Sequence, residues 1–117
     1  MKAEELRIVN YVNHANSVKQ LDTELFLQLL KYTTPFEPIQ LTEEWLLKFG
    51  FEKHSEKITN VFFKKAGKCL IEYDLTNSIA DLVKRVSFDI FIEIKHVHQL
   101  QNLYFVLTGE ELTLKQD

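Results

Sequence analysis

A chain of 117 residues, 45% hydrophobic and 26% charged, has the length of one domain. It can bury roughly two thirds of its unfolded surface without staples. Nine Phe against 3 Gly and 2 Pro exclude collagen-like, low-complexity and mucin-like chains, and a formal net charge of -3 supplies no long-range attraction to phosphate backbones, which argues against a dedicated nucleic-acid binder.

Residues 6–12 alternate Leu6, Ile8, Asn10 and Val12 against Arg7, Val9 and Tyr11, the period of a strand with one apolar face. His14, Ala15, Asn16 and Ser17 carry turn chemistry, and residues 18–21 supply a return strand, so a hairpin is expected. Asp22 is placed to cap a helix over 23–32, with Leu25, Leu29 and Tyr32 on its apolar stripe. Pro35 and Pro38 make 33–40 an extended connector. A second helix starts at the N-cap Thr42, with Leu41 and Leu46 spaced as a hydrophobic staple, Glu43 and Glu44 in the first turn and Gly50 as its stop.

Residues 57–64 and 68–74, joined through Ala66 and Gly67, read as a hairpin, whereas 77–81 carries no decisive pattern. The stretch 86–94 is the clearest strand, with Val86, Phe88, Ile90, Ile92 and Ile94 on one face and Ser87, Asp89, Phe91 and Glu93 on the other. Val97, Leu100, Leu103, Tyr104 and Leu107 form the stripe of a last helix, ended by Gly109. No linker or repeat divides the chain. The expectation is one α+β domain over 1–117, a small antiparallel β-sheet with two or three packed α-helices.

Two 16-residue blocks, Pro38 to Lys53 with Leu41-Thr42-Glu43-Glu44-Trp45-Leu46-Leu47-Lys48-Phe49-Gly50 at its heart, and Val97 to Leu112, are long enough to be specific. They resemble an uncharacterised family of short proteins from phages and mobile elements of anaerobic gut-type bacteria. Leu6-Arg7-Ile8 and Asn10-Tyr11-Val12 are similar to the opening of the same family, with Val9 where Gly is common and Gln40 where Pro is common; the middle of the chain diverges. The resemblance implies a provenance and carries no activity, cofactor or catalytic residue. The apolar positions of both blocks, Trp45, Leu46, Phe49 and Phe51 among them, read as helices docking on a sheet, with an exposed aromatic patch for a partner as the alternative.

Chemical sites are sparse. Lone Cys69 cannot form an internal disulfide and, within an apolar run, reads as a buried inert thiol. His96 and His98, with Asp89 or Glu93, are the nearest approach to a metal set, but they stand where a strand gives way to a helix, and ordinary helix-start or surface roles are favoured. No cofactor is expected, because Gly50, Gly67 and Gly109 are too dispersed for a phosphate-cradling loop. Lys64, Lys65 and Lys68 surround the hairpin turn and read as a solvated tip.

The sharper enzyme idea is a carboxylate site. Asp89 and Glu93 share one strand face, Glu72 and Asp74 another, and direct pairing of those strands brings the four together. Glu93-Ile94-Lys95 also has the acid-x-lysine spacing of a metal-dependent nuclease strand, with Asp74 or Asp81 as the upstream acid, although the large central helix that usually accompanies it is missing.

The favoured reading is a non-enzymatic interaction protein of phage or mobile-element origin. It binds a host or phage macromolecule, in its most concrete form as a protein inhibitor of a bacterial defence complex. The alternatives are a metal-dependent nuclease using Asp74, Asp89, Glu93 and Lys95, and a homo-oligomeric accessory protein whose strand edge pairs with itself. The acidic opening Met1-Lys2-Ala3-Glu4-Glu5 is unlike a secretory signal, and no stretch approaches about 18 consecutive apolar residues, so no membrane partner is expected and the location is cytoplasmic.

Overall fold

The computed structural model describes residues 6–14, 16–32, 36–53, 55, 57, 60–83 and 87–115, with the backbone alone at 29–32 and 87–90. It has an α+β architecture of antiparallel strands in two sheets with three helices. Strands β1 (Tyr11–His14), β2 (Ser17–Gln20) and β3 (Phe36–Glu37) form the smaller sheet in the order β2-β1-β3. The larger one runs β4-β5-β6-β7-β8 through β4 (Glu52–Lys53), β5 (Val61–Ala66), β6 (Cys69–Asp74), β7 (Ile79–Val83) and β8 (Ser87–Glu93). Helices α1 (Thr23–Tyr32), α2 (Glu43–Lys48) and α3 (Val97–Thr108) complete the order.

Local chemistry sets the helix ends. Asp22 Oδ1 accepts from the Leu25 N–H at 2.7 Å at the start of α1, and Thr42 Oγ1 accepts from the Trp45 N–H at 3.4 Å at the start of α2. Gln99 Oε1 accepts from the main-chain N–H groups of both Lys95 and His96, closing the first turn of α3. Gly109 ends α3 at φ 73°, a left-handed conformation that costs a residue without Cβ little. Gly67, at φ 62°, occupies the first position of the two-residue turn between Ala66 and Cys69, where a tight hairpin favours glycine.

Two expectations about strands need correction. The strand over 6–12 begins only at Tyr11, because the preceding residues make a polar turn. The Arg7 N–H donates to Asn10 Oδ1 at 2.6 Å, Val9 takes φ 74°, and the Leu21 N–H reaches Asn10 O at 2.8 Å. Asn10 is fully buried while Ile8 is 46% exposed, so the alternation at 6–10 marks a hydrogen-bonded hub instead of a pleat.

The undecided segment 77–81 ends in β7, which inserts between β6 and β8. Asp74 pairs with Ile79 and Ile79 with Glu93, so the strands carrying the expected carboxylates are next-nearest neighbours.

The inner face of the larger sheet carries Phe62, Ala66, Ile71, Tyr73, Ala80 and Leu82, all buried. Against it pack Leu46 from α2, Phe49 at its C-cap, Phe51 beyond it, Val97 and Leu100 from α3, and Leu112 from the returning tail. At about 25 cal/mol per Å² of apolar area, each fully buried large side chain contributes about 2 kcal/mol, which makes this face the principal stabilising element. A second cluster of Leu6, Val12 and Leu21, with Leu25, Phe26 and Phe36 against it, joins α1 to the smaller sheet.

The two clusters meet through aromatic and polar contacts. The Tyr11 ring lies 5.4 Å from Trp45 and 6.3 Å from Phe49. Gln101, also fully buried, accepts from the Tyr11 N–H through Oε1 at 2.9 Å and donates through Nε2 to Val9 O at 3.0 Å. Both groups of its amide are thereby satisfied inside the protein, as burial demands.

Candidate interaction surface

The residues singled out for carboxylate chemistry are held in separate local roles. Asp74 closes the turn between β6 and β7: its Oδ1 accepts from the Thr76 and Asn77 N–H groups at 3.0 and 3.2 Å and from Asn60 Nδ2 at 3.1 Å, while its Oδ2 accepts from Asn77 Nδ2 at 2.7 Å. The Asn77 side-chain bond, with main-chain bonds from Asn77 and Thr76, holds the carboxyl below the usual carboxylate range.

Glu93 and Lys95 do point the same way, as their spacing requires, and they pair with each other at 3.3 Å on the surface. Asp74 and Glu93 are two strand spacings apart, about 10 Å, with Ile79 between them. The side chain of Asp89 lies outside the described residues. Among the described residues, no group of three His, Cys, Asp or Glu is arranged to hold a metal ion.

The remaining candidates also find structural places. His96 precedes α3 and stacks on His98, ring centroids 5.8 Å apart and planes 8° from parallel; both stand at the helix start as expected, and His98 is buried because the first turn of α3 faces the core. Cys69 is half-buried instead of fully enclosed, since it opens β6 beside the exposed turn residues Gly67 and Lys68. Lys65 and Lys68 are exposed, whereas half-buried Lys64 turns inward over the Tyr104 ring.

The outward face of the larger sheet has a different character. Strand pairing sets Glu52, Phe63, Glu72, Asp81 and Phe91 in one row across all five strands, and Val61, Asp74, Ile79 and Glu93 in the next. Lys65, Leu70 and Val83 form a third. Directly paired residues project to the same face, so these rows make one surface. Phe91 is 61% exposed, and Val61, Leu70, Ile79 and Val83 are half-buried without belonging to either hydrophobic cluster among the described residues.

Among the described side chains the charges on this surface are one-sided: Glu52, Glu72, Asp74, Asp81 and Glu93 stand against Lys65 and Lys95, an acidic excess threaded between apolar side chains. A sheet face that merely meets water is polar on its outer positions, whereas this one interleaves exposed and half-buried apolar side chains with carboxylates. The sequence carried one sign of it, an aromatic at Phe91 on the otherwise polar side of the 86–94 alternation. The cross-strand rows themselves became visible only with β7 in place.

Beyond Glu93 the edge of the sheet is occupied by the chain itself. The Leu41 N–H donates to Lys95 O at 2.9 Å and the Val97 N–H to Ile39 O at 2.8 Å, around an antiparallel bridge between Gln40 and His96. A shallow groove of about 580 Å³ opens there, lined by Gln40, Thr42, Glu43, Ser78, Lys95 and His96 among others. No helix among the described residues is long and apolar enough to cross a membrane. Neither a family model, nor a curated protein, nor a solved structure matches the chain.

Proposed function

We propose that this protein is a non-enzymatic binding module that engages another protein through the outward face of its five-stranded sheet. One observation carries the reading: exposed Phe91 and the half-buried apolar residues beside it share a face with Glu52, Glu72, Asp81 and Glu93. Burying such apolar area favours association, and the surrounding carboxylates select a partner of opposite charge and speed encounter. Two of the groups expected to support hydrolysis stand apart, Asp74 bonded within a turn and Glu93 two strand spacings away in a surface ion pair. The resemblance of the blocks 38–53 and 97–112 to proteins of phages and mobile elements supports a partner in a bacterial cell, and in its most concrete form the reading is inhibition of a defence complex.

Capture from bacterial lysate in three parallel arms tests this reading. Wild type and Val106→Arg, altered at an α3 residue 80% exposed and off the sheet face, retain the same partner, whereas Phe91→Arg loses it. Equal retention by Phe91→Arg contradicts the proposal. Both substitutions fall on exposed side chains, so folding is preserved to within about 0.5 kcal/mol.

A further inference from the structure

The larger sheet ends at β8, and the main chain of that strand is directed in a way the hydrogen bonds define. The Ile94 N–H donates inward to Ser78 O at 2.8 Å, whereas Lys95 O, one residue on, accepts from Leu41 outside the sheet. Antiparallel strands alternate these directions residue by residue, so the N–H and C=O groups of Phe91 and Glu93 also point to the outer edge. The segment Ile39–Leu41 already extends the sheet antiparallel at 95–97, in line with that edge. Next to these outward groups stand the exposed Phe91 ring and, on its own and the neighbouring strand, the carboxylates of Glu93 and Asp81.

We propose that the edge of β8 takes up an extended basic segment of the partner protein as an antiparallel sixth strand, with Lys or Arg opposite Glu93 and an apolar side chain opposite Phe91. This rests on the binding-module reading above and adds to it the class of partner and the mode of docking. Main-chain pairing at an edge that carries no partner strand among the described residues supplies affinity, and alternate side chains supply specificity. In an antiparallel strand the two matching residues are two apart, so the recognised pattern is a cation, any residue, then an apolar residue. The surface pair between Glu93 and Lys95 is no obstacle, since exposed pairs of this kind are worth at most about 1 kcal/mol. A second copy of the chain fits the site less well, because it brings another acidic strand to an acidic edge.

The test is selection of a random dodecapeptide display library on the immobilised full chain, followed by amide hydrogen exchange of the chain with the best synthetic peptide. The expected peptides are cationic with the cation-x-apolar spacing, protect the Phe91 and Glu93 amides, and bind about tenfold more weakly to Glu93→Lys. Peptides that are neutral or acidic, peptides that leave those two amides unprotected, or a library yielding no binder all overturn strand addition. So does concentration-dependent dimerisation of the chain alone that protects the same amides. A lysate partner lost on Phe91→Arg but leaving the two amides unprotected sinks this inference and preserves the binding module; no partner in either experiment sinks both.

Discussion

The guanidinium of Arg7 holds the carboxylate of Glu111 across 104 positions of sequence, through Nη1 to Oε1 at 2.5 Å and Nη2 to Oε2 at 3.3 Å. The same side chain donates through Nε to Asn102 Oδ1 at 2.7 Å and lies 4.3 Å from the centre of the Phe105 ring. It therefore fastens the polar turn before β1 to α3 and to the segment that follows it. Both partners are about 30% exposed, so screening weakens the Coulomb attraction and the bidentate geometry matters more.

Replacing Arg7 with Ala is expected to cost about 2 kcal/mol, and Arg7→Lys to recover little of it, since an ammonium cannot bond Glu111 and Asn102 as a planar fork. Urea unfolding of the two variants and of Glu111→Gln checks this. Restoration of wild-type stability by Lys would show that charge alone suffices.

Val9 sits at φ 74°, a conformation that costs a β-branched residue about 1–3 kcal/mol. Val9→Gly relieves that strain and is expected to raise the melting temperature despite the added chain entropy of glycine, with Val9→Ala gaining less. A lower melting temperature for the Gly variant would mean that the packing of this half-buried side chain outweighs its backbone strain.

Asp74 supplies a pH dependence. Its folded-state carboxyl titrates below the ordinary value, chiefly because Asn77 hydrogen-bonds the ionised form, so its contribution is complete above the unfolded-state pKa of about 4 and is lost as pH falls through the folded one. Asp74→Ala is expected to cost about 1 kcal/mol at pH 7, and the gap to wild type narrows in acid. A gap that stays constant from pH 7 to pH 3 would contradict the assignment.

Tyr73 acts at the other end of the scale. Its buried hydroxyl donates to Ile94 O at 2.5 Å, and burial raises its pKa, an effect the Ser78 hydrogen bond only partly offsets. A raised value favours the neutral form, so the contribution is intact below about pH 10 and lost above it. Tyr73→Phe is expected to cost about 1 kcal/mol at neutral pH and to blunt alkaline unfolding, measured by thermal melts between pH 7 and 11.

What could be read in the sequence was what depends on near neighbours. The caps at Asp22 and Thr42, the stop at Gly109 and the hairpin around Gly67 all lie within a few residues of the groups they satisfy. The opening strand was misplaced because Leu6, Ile8, Asn10 and Val12 alternate as a strand does, and the burial of Asn10 depends on Asn102, distant in sequence, whose Oδ1 accepts from it at 3.0 Å. β7 is not legible in the sequence because the turn residues Asn77 and Ser78 dilute its short apolar pattern. With it went the order of strands, and hence which carboxylates face which rings.

The central claim concerns a charged apolar face, so reversing its charge is the most direct measurement. Calorimetric titration of the captured partner with wild type and with the Glu72→Lys/Glu93→Lys double variant, each at low and high salt, is expected to show affinity that falls with salt for wild type and drops by about tenfold or more in the variant, with unchanged melting temperature. Equal affinity of the two proteins at both salt concentrations would contradict the account.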